Sequence, residues 1–192
     1  MIKYFCAIFM ALIFAFPSYS SANDRNTKIE LPYGILLELP NDWQSKYEKN
    51  RKLNAARPVV VLAAAKPDLS GNVLAWLKIS AISDPNFFVP VDLTQLSQRE
   101  KDKIISDTRT IIGQGSVPGK NDIKNISVTI ENLNGSPCIK VSYSFQQQIF
   151  TVMTFNRKDI GISVETAYSD NALDKLNIEL SKILSTIAVG GN

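Results

Sequence analysis

Four strand-length segments follow one another between residues 123 and 168 of the 192-residue sequence, and the links between them are short. Their expected bounds are Ile123–Leu133, Cys138–Phe145, Ile149–Phe155 and Ile160–Tyr168. Parallel neighbours need a crossover of a dozen or more residues, so such short links favour antiparallel pairing. The dipeptide Asn134-Gly135 is also a strong hairpin signal. This part of the chain therefore predicts an antiparallel meander.

Strands are also predicted before the meander. Pro58–Ala65 and Val73–Ile82 are apolar on both alternating faces, a pattern typical of central strands that are covered on both sides. Thr27–Pro40 is interpreted as a hairpin that turns at Pro32-Tyr33-Gly34. The charged stretch from Ser45 to Ala56 is interpreted as a short helix or a loop.

Two amphipathic helices complete the expected fold. The first contains the capping-box pair Ser97 and Glu100, begins there or near Asp92, and has its end marked by Gly113 and Gly115. The second follows Ser169-Asp170-Asn171, which provides its N-cap. Because each helix must bury an apolar stripe, we expect an α+β fold in which an antiparallel β-sheet packs with two main helices around one continuous core.

The N-terminus has the order of a secretory signal peptide. Met1-Ile2-Lys3 is a short positive segment, Tyr4–Phe16 is almost entirely apolar, and small residues follow up to an expected cleavage site near Ser20–Ala22. The apolar run is shorter than the roughly 20 residues that a membrane span needs. We therefore expect residues 1–22 to be removed and residues 23–192 to form a single domain that is periplasmic or secreted.

The composition excludes several kinds of chemistry. The sequence contains no histidine, so histidine-based catalytic triads and histidine-ligated zinc sites cannot form within the chain. Cys6 is expected to leave with the signal peptide, so Cys138 has no disulfide partner in the mature chain. Because Cys138 lies in an apolar run, we interpret it as a buried residue rather than a reactive thiol. We predict no catalytic residue, no cofactor and no metal site.

The charge balance of the mature chain is nearly even. Removal of the signal peptide takes away Lys3 alone among the charged residues, which leaves 20 basic and 18 acidic residues. A net charge of +2 provides no global attraction to nucleic acid or to an anionic membrane. We therefore predict no nucleic-acid partner, and no membrane span after the signal peptide is removed.

Two groups of residues are candidates for a binding surface. Phe87 and Phe88 lie in a loop between two proline-containing segments, and apolar aromatic residues in loops can be exposed and adhesive. Lys49, Arg51 and Lys52 belong to a basic stretch that suits an anionic partner. The alternative in each case is structural: the phenylalanines pack under the helix, and the basic residues form a solvated face.

Three segments of the chain follow a recognisable order. The opening hairpin ends in Leu39-Pro40-Asn41-Asp42-Trp43, the mid-chain helix precedes the meander, and Ala167-Tyr168-Ser169-Asp170 leads into a closing helix that ends Ile183-Leu184-Ser185-Thr186-Ile187. This order resembles the Mog1/PsbP-like superfamily, which includes bacterial periplasmic DcrB-like proteins. The resemblance implies an α/β/α sandwich and a non-enzymatic binding or accessory role. It carries over no functional residue, because the members share a fold rather than an activity.

Three functional hypotheses follow from these observations. The first is an exported accessory protein without catalytic activity that engages a protein partner through its loops. The second is a small-ligand carrier with a pocket between sheet and helix. The aromatic residues available to line that pocket are Trp43, Trp76, Phe87, Phe88, Phe150 and Phe155. The third, ranked last, is an enzyme that uses a Ser/Lys pair or two carboxylates converging in a deep cleft.

Overall fold

The computed structural model describes residues 26–89, 91–113, 123–157, 159–170 and 173–189. Within these ranges lie ten strands and two α-helices: β1 (Thr27–Leu31), β2 (Ile35–Leu39), β3 (Gln44–Tyr47), β4 (Val59–Pro67), β5 (Val73–Ile82), α1 (Gln98–Gly113), β6 (Lys124–Leu133), β7 (Ser136–Phe145), β8 (Gln148–Arg157), β9 (Ile160–Ser169), α2 (Leu173–Thr186) and β10 (Ala188–Val189). The expected signal peptide and its cleavage site lie outside the described residues.

Seven strands form one antiparallel sheet in the spatial order β3-β4-β5-β9-β8-β7-β6. The predicted meander is confirmed, because β6, β7, β8 and β9 pair with one another in chain order. Its first turn lies at Asn134-Gly135, where the two residues adopt positive φ angles of 48° and 89°. β9 then pairs with β5, which joins the meander to the earlier strand pair β4–β5 in a single sheet.

A second, three-stranded sheet has the order β1-β2-β10. The hairpin predicted at Thr27–Pro40 forms β1 and β2, and β10 pairs with the start of β2. Asn134 stabilises the segment between α2 and β10, since its side-chain amide donates to the carbonyl oxygens of Ser185 and Ile187 at 2.9 and 2.5 Å. β10 was not predicted from the sequence because two residues are too few to show a periodicity.

The charged stretch after Trp43 begins as a strand. Gln44–Tyr47 pairs with β4 at the edge of the large sheet, and residues 48–58 follow as a loop. The burial of Trp43 is the physical reason, since it brings the next residues alongside β4. The loop interpretation is therefore confirmed for residues 48–56, whereas Ser45, Lys46 and Tyr47 of the same stretch lie in an edge strand that was not predicted.

The larger hydrophobic cluster lies between α2, the small sheet and one face of the large sheet. Its fully buried members include Leu37, Leu77, Ile79, Phe155, Ile162 and Ile187. From α2 it takes Leu176, Leu180 and Ile183, which confirms the amphipathic pattern predicted for the closing helix. Full burial of one such side chain contributes about 1.5–3 kcal/mol, so this face supplies the main hydrophobic stabilisation.

A smaller hydrophobic cluster lies on the opposite face of the large sheet, under α1. It contains Val128, Ile139 and Val141 of β6 and β7, together with Val89 and Leu93 from the segment before the helix. The expectation of one continuous core is therefore corrected, because the interior strands separate two clusters. With one helix on each face, the α+β fold and its α/β/α arrangement are confirmed.

α1 starts with the predicted capping box, in which the Ser97 amide donates to Glu100 at 2.8 Å.

A polar cluster ties α2 to the large sheet. The indole Nε1 of Trp43 donates to Glu179 on α2 at 2.5 Å, and the Lys66 ammonium donates to both oxygens of the same carboxylate at 2.7 and 2.5 Å. Lys66 also contacts Asp42 at 2.8 Å. The turn after β2, strand β4 and helix α2 are therefore held together by one lysine and two carboxylates.

This cluster makes the stability of the fold depend on pH in the alkaline range. Burial lowers the pKa of Lys66, but its hydrogen bonds to Asp42 and Glu179 and the charges of both carboxylates outweigh burial and raise the pKa above 10.5. A lysine whose pKa is higher in the folded state stabilises fully below the unfolded-state value. That stabilisation is lost as the pH rises through the folded-state value.

We expect Lys66→Met to lower the free energy of unfolding by about 1–2 kcal/mol near neutral pH, because it removes charge-assisted hydrogen bonds to a half-buried carboxylate. It should also flatten the loss of stability above about pH 10.5. Denaturant titrations across pH measure both effects. Lys28→Met is the matched control, since Lys28 forms only a long surface pair with Glu38 at 3.7 Å. Equal effects of the two substitutions would contradict this account.

Candidate functional site

Three loops meet at one end of the molecule. The Ser83 amide donates to the carbonyl oxygen of Asn54 at 3.2 Å, which joins the loop after β5 to the loop between β3 and β4. The Leu53 amide donates to the phenolic oxygen of Tyr33 at 3.4 Å, which adds the β1–β2 turn. We call the surface formed by residues 32–34, 48–58 and 83–89 the loop end.

Phe87 and Phe88, which the sequence left with two interpretations, have different environments. Phe87 closes a turn in which its amide donates to the Asp84 carbonyl oxygen at 3.3 Å, and its side chain is 42% exposed. Phe88 is half-buried and packs against the cluster under α1. The two rings meet edge to face with centroids 5.1 Å apart. Phe88 thus has the structural role, and Phe87 is the aromatic residue that the loop presents to solvent.

Gly161 on β9 allows this loop to lie directly on the sheet. A Cβ at position 161 would stand 2.9 Å from the carbonyl oxygen of Asp84 and 3.1 Å from Cδ2 of Phe88, which is closer than such contacts normally allow. One strand away, the side-chain amide of Asn156 donates to the carbonyl oxygen of Val89. The loop that carries Phe87 is therefore fixed at both of its ends.

Tyr33 is a second exposed aromatic residue at the loop end. It lies in the short 3₁₀ turn between β1 and β2 and has a φ of 66°, which is uncommon for a residue other than glycine. Its side chain is 47% exposed. Such backbone strain persists only where the surroundings hold it, and it is concentrated at functional sites. The sequence showed the turn at Pro32-Tyr33-Gly34 but not that the tyrosine ring would project from it.

The predicted basic residues also lie at the loop end. Lys49, Arg51 and Lys52 are exposed on the loop between β3 and β4. Nη1 of Arg51 lies 2.8 Å from both carboxylate oxygens of Glu48. In the described part of the chain, no ion pair involves Lys49 or Lys52. All five predicted binding residues therefore belong to two loops that are joined by the Ser83–Asn54 hydrogen bond.

The aromatic residues considered for a ligand pocket lie on different faces of the sheet. Trp43 and Phe155 are buried in the larger cluster on the α2 side. Trp76 and Phe150 lie on the other side, where their rings meet edge to face with centroids 6.2 Å apart. Tyr143 stacks on Phe150 at 5.1 Å. The alternation of side chains along each strand causes this separation.

A buried ion pair lies on the same face as Trp76. Lys78 on β5 and Glu165 on β9 are direct cross-strand partners, with Nζ and Oε2 2.5 Å apart and side chains only 10% and 9% exposed. On the next rung, the buried hydroxyl of Ser163 has no hydrogen-bond partner among the described residues. Removing one member of a buried pair is costly because it leaves the other charge uncompensated. Neither Lys78 nor Glu165 was predicted as a candidate from the sequence, although a lysine in an otherwise apolar strand is a visible signal.

The lysine and carboxylate groups of the structure give little support to the enzymatic hypothesis. The Lys78 ammonium is bound to Glu165, which competes with use of this lysine as a base for a neighbouring serine. Asp42 and Glu179 converge on Lys66, but Asp42 is 61% exposed and does not lie in a deep cleft. The described residues contain no group of three or more acidic or cysteine side chains that could hold a metal ion.

Cys138 is buried near the start of β7. Burial and, secondly, the charge of Glu131 raise the pKa of its thiol to about 11. A thiol with such a pKa is almost entirely protonated at neutral pH, and the thiolate is the reactive form. The interpretation of Cys138 as a buried hydrophobic residue is therefore confirmed.

Neither helix in the described part of the chain is both long and apolar enough to span a membrane.

Solved structures with a similar fold exist. The cyanobacterial PsbP protein CyanoP from Synechocystis is 14% identical, with a TM-score of 0.54 over 91% of this chain and 98% of that one. A protein from Bacteroides thetaiotaomicron is 11% identical over 86% of this chain, with a TM-score of 0.50, and this chain spans about half of its length (48%). The Saccharomyces cerevisiae Ran-binding protein Mog1p is 10% identical, with a TM-score of 0.43 over 87% and 96% of the two chains.

The likeness to CyanoP establishes the fold alone. The chain has a Mog1/PsbP-like fold, and CyanoP matches it over nearly the whole length of both proteins. No protein-family model and no curated protein sequence matches the chain. The function must therefore be argued from the chain's own residues.

We expect Gly161→Ala to lower the free energy of unfolding by about 1–3 kcal/mol, because the new Cβ meets the backbone oxygen of Asp84, which cannot rotate away. Denaturant titration measures the change. Gly113→Ala is the control, since its Cβ would find only Ile126 at 3.9 Å and its φ is not positive. A loss of stability no larger than that of the control would show that the loop does not rest on Gly161.

Proposed function

We propose that this chain is a non-catalytic accessory protein that binds a protein partner through the loop end. In this proposal, residues 1–22 direct export and are removed, and the mature domain acts in the periplasm or outside the cell. The order of charge, apolar run and small residues at the N-terminus supports export. The absence of histidine supports a function that needs no imidazole as a base at neutral pH.

The main support for the proposal is that the Phe87 ring is exposed on a loop that is held against the sheet. Its neighbour Phe88 and the close approach at Gly161 hold the loop on the sheet, while the Phe87 ring remains exposed. A side chain held in this way loses little conformational freedom when it enters a partner's pocket, so more of the contact energy appears as affinity. Large aromatic residues are also enriched among those that dominate protein interfaces.

Tyr33 extends the same surface. Its ring is exposed on a turn whose left-handed φ is held by the surrounding hairpin, and its hydroxyl accepts a hydrogen bond from the loop between β3 and β4. The two exposed aromatic residues therefore come from separate loops that other contacts connect. A surface built from several joined loops on a rigid sheet is a common arrangement for recognition.

A small-ligand carrier is the second candidate, and the half-buried group of Trp76, Phe150 and Tyr143 favours it. Aromatic rings beside a few polar groups are typical of ligand sites, and the Lys78–Glu165 pair provides polar groups on the neighbouring rung. This surface lies on the sheet, apart from Phe87. Loss of the Phe87 side chain should leave such a carrier intact.

We expect Phe87→Ala to reduce capture of the partner at least about tenfold, which corresponds to the loss of one dominant aromatic contact. The purified mature chain is immobilised, exposed to proteins from the compartment in which it occurs, and the bound proteins are quantified by mass spectrometry. Leu69→Ala is the control, because Leu69 is fully exposed at the tip of the β4–β5 hairpin. Equal capture of the partner by the wild type and by Phe87→Ala would contradict the proposal.

A further inference from the structure

The positive charge of the chain is concentrated on one loop of the loop end. Residues 48–57 contain the four basic residues Lys49, Arg51, Lys52 and Arg57 and one acidic residue, Glu48, which gives a formal charge of +3. The whole chain has 21 basic and 18 acidic residues, also a net +3. The remainder is therefore balanced, with 17 residues of each sign.

The structure leaves most of this charge available. Arg51 and Glu48 are paired at 2.8 Å and offset each other. Lys49, Lys52 and Arg57 are exposed, and no ion pair in the described part of the chain includes them. Three uncompensated cations thus lie on the loop whose Asn54 is hydrogen-bonded to Ser83, at the start of the loop that presents Phe87.

Several other basic residues have acidic neighbours. On α1, Arg99 and Lys103 stand among Glu100, Asp102 and Asp107 along the helix. On the sheets, Lys28, Lys66, Lys78 and Lys140 each form an ion pair with a carboxylate. The loop between β3 and β4 differs because basic residues cluster there with a single acid that is already paired.

We propose that the partner presents an acidic segment to the loop end, with carboxylates facing Lys49, Lys52 and Arg57 and an apolar side chain against Phe87 and Tyr33. This inference rests on the proposed function and names the chemistry of the partner. Opposite charges that face each other across an interface accelerate encounter and disfavour basic partners. Because the cations are exposed, salt screens them, with a Debye length of about 10 Å at 0.1 M.

An anionic membrane would also attract these lysines, but the loop end fits it less well. Segments that bind in the plane of a bilayer present a continuous apolar face. Here the exposed large aromatic side chains are those of Phe87 and Tyr33, which come from separate turns. The Tyr33 hydroxyl is hydrogen-bonded to the Leu53 amide. Two fixed aromatic residues among cations suit a protein segment with one apolar side chain between carboxylates.

The test measures binding of a labelled 12-residue peptide, rich in glutamate and aspartate with one central phenylalanine, by fluorescence anisotropy. The mature wild type is compared with Lys49→Glu/Lys52→Glu and with the control Arg99→Glu/Lys103→Glu. Both double substitutions change the net charge equally and replace only exposed residues. Melting temperatures confirm that each variant folds.

We expect the loop substitutions to weaken peptide binding at least about tenfold at low ionic strength, and the α1 substitutions to change it less than about twofold. Binding should also weaken as salt increases. Failure of the wild type to bind the peptide, or equal weakening by both double variants, overturns the inference. Binding of the wild type to phosphatidylglycerol vesicles but not to the peptide also overturns it and assigns the surface to lipid.

The same variants separate this inference from the proposed function. If Phe87→Ala loses the captured partner while Lys49→Glu/Lys52→Glu retains it, the loop end binds a protein but the partner's segment is not acidic. If neither substitution alters capture, both proposals fail. Loss of capture with both supports the two together.

Discussion

The interior strands β5 and β9 are buried along most of their length, and the remaining elements follow from the need to cover both of their faces. One face is covered by α2 and the small sheet, which bury the larger cluster. On the other, α1 covers β6 and β7, and the loop after β5 crosses onto β9 at Gly161. That crossing buries Phe88 in part and leaves Phe87 in solvent. The candidate binding surface is thus a consequence of how the sheet is covered.

Elements with a local signal could be predicted from the sequence. The meander shows period-two alternation and an Asn-Gly turn, and α1 shows a capping box at Ser97 and Glu100 that the structure contains. Elements that depend on distant contacts could not. β10 is a two-residue strand held by Asn134, and β3 forms because Trp43 is buried beside β4. The separation of the core into two clusters depends on strand order, which periodicity does not reveal.

The residues of the candidate site could also be predicted only where the signal is local. Composition and loop position indicated Phe87, Phe88 and the basic residues, but the choice between the two phenylalanines depends on Gly161, 73 residues after Phe88 along the chain. Tyr33 was missed because its exposure depends on a left-handed φ. The Lys78–Glu165 pair was missed because it depends on the register between β5 and β9. Cys138 was assigned correctly because an apolar strand is sufficient to predict its burial.

Amide hydrogen exchange of the mature chain, alone and in complex with the captured partner, tests whether the loop end is the binding surface. We expect slower exchange on binding in residues 48–58 and 83–89 and around Tyr33. We expect no change at the β4–β5 hairpin tip around Leu69. Protection confined to α2, or to the strand segments that carry Trp76 and Phe150, would contradict it and would place the binding surface on another part of the fold.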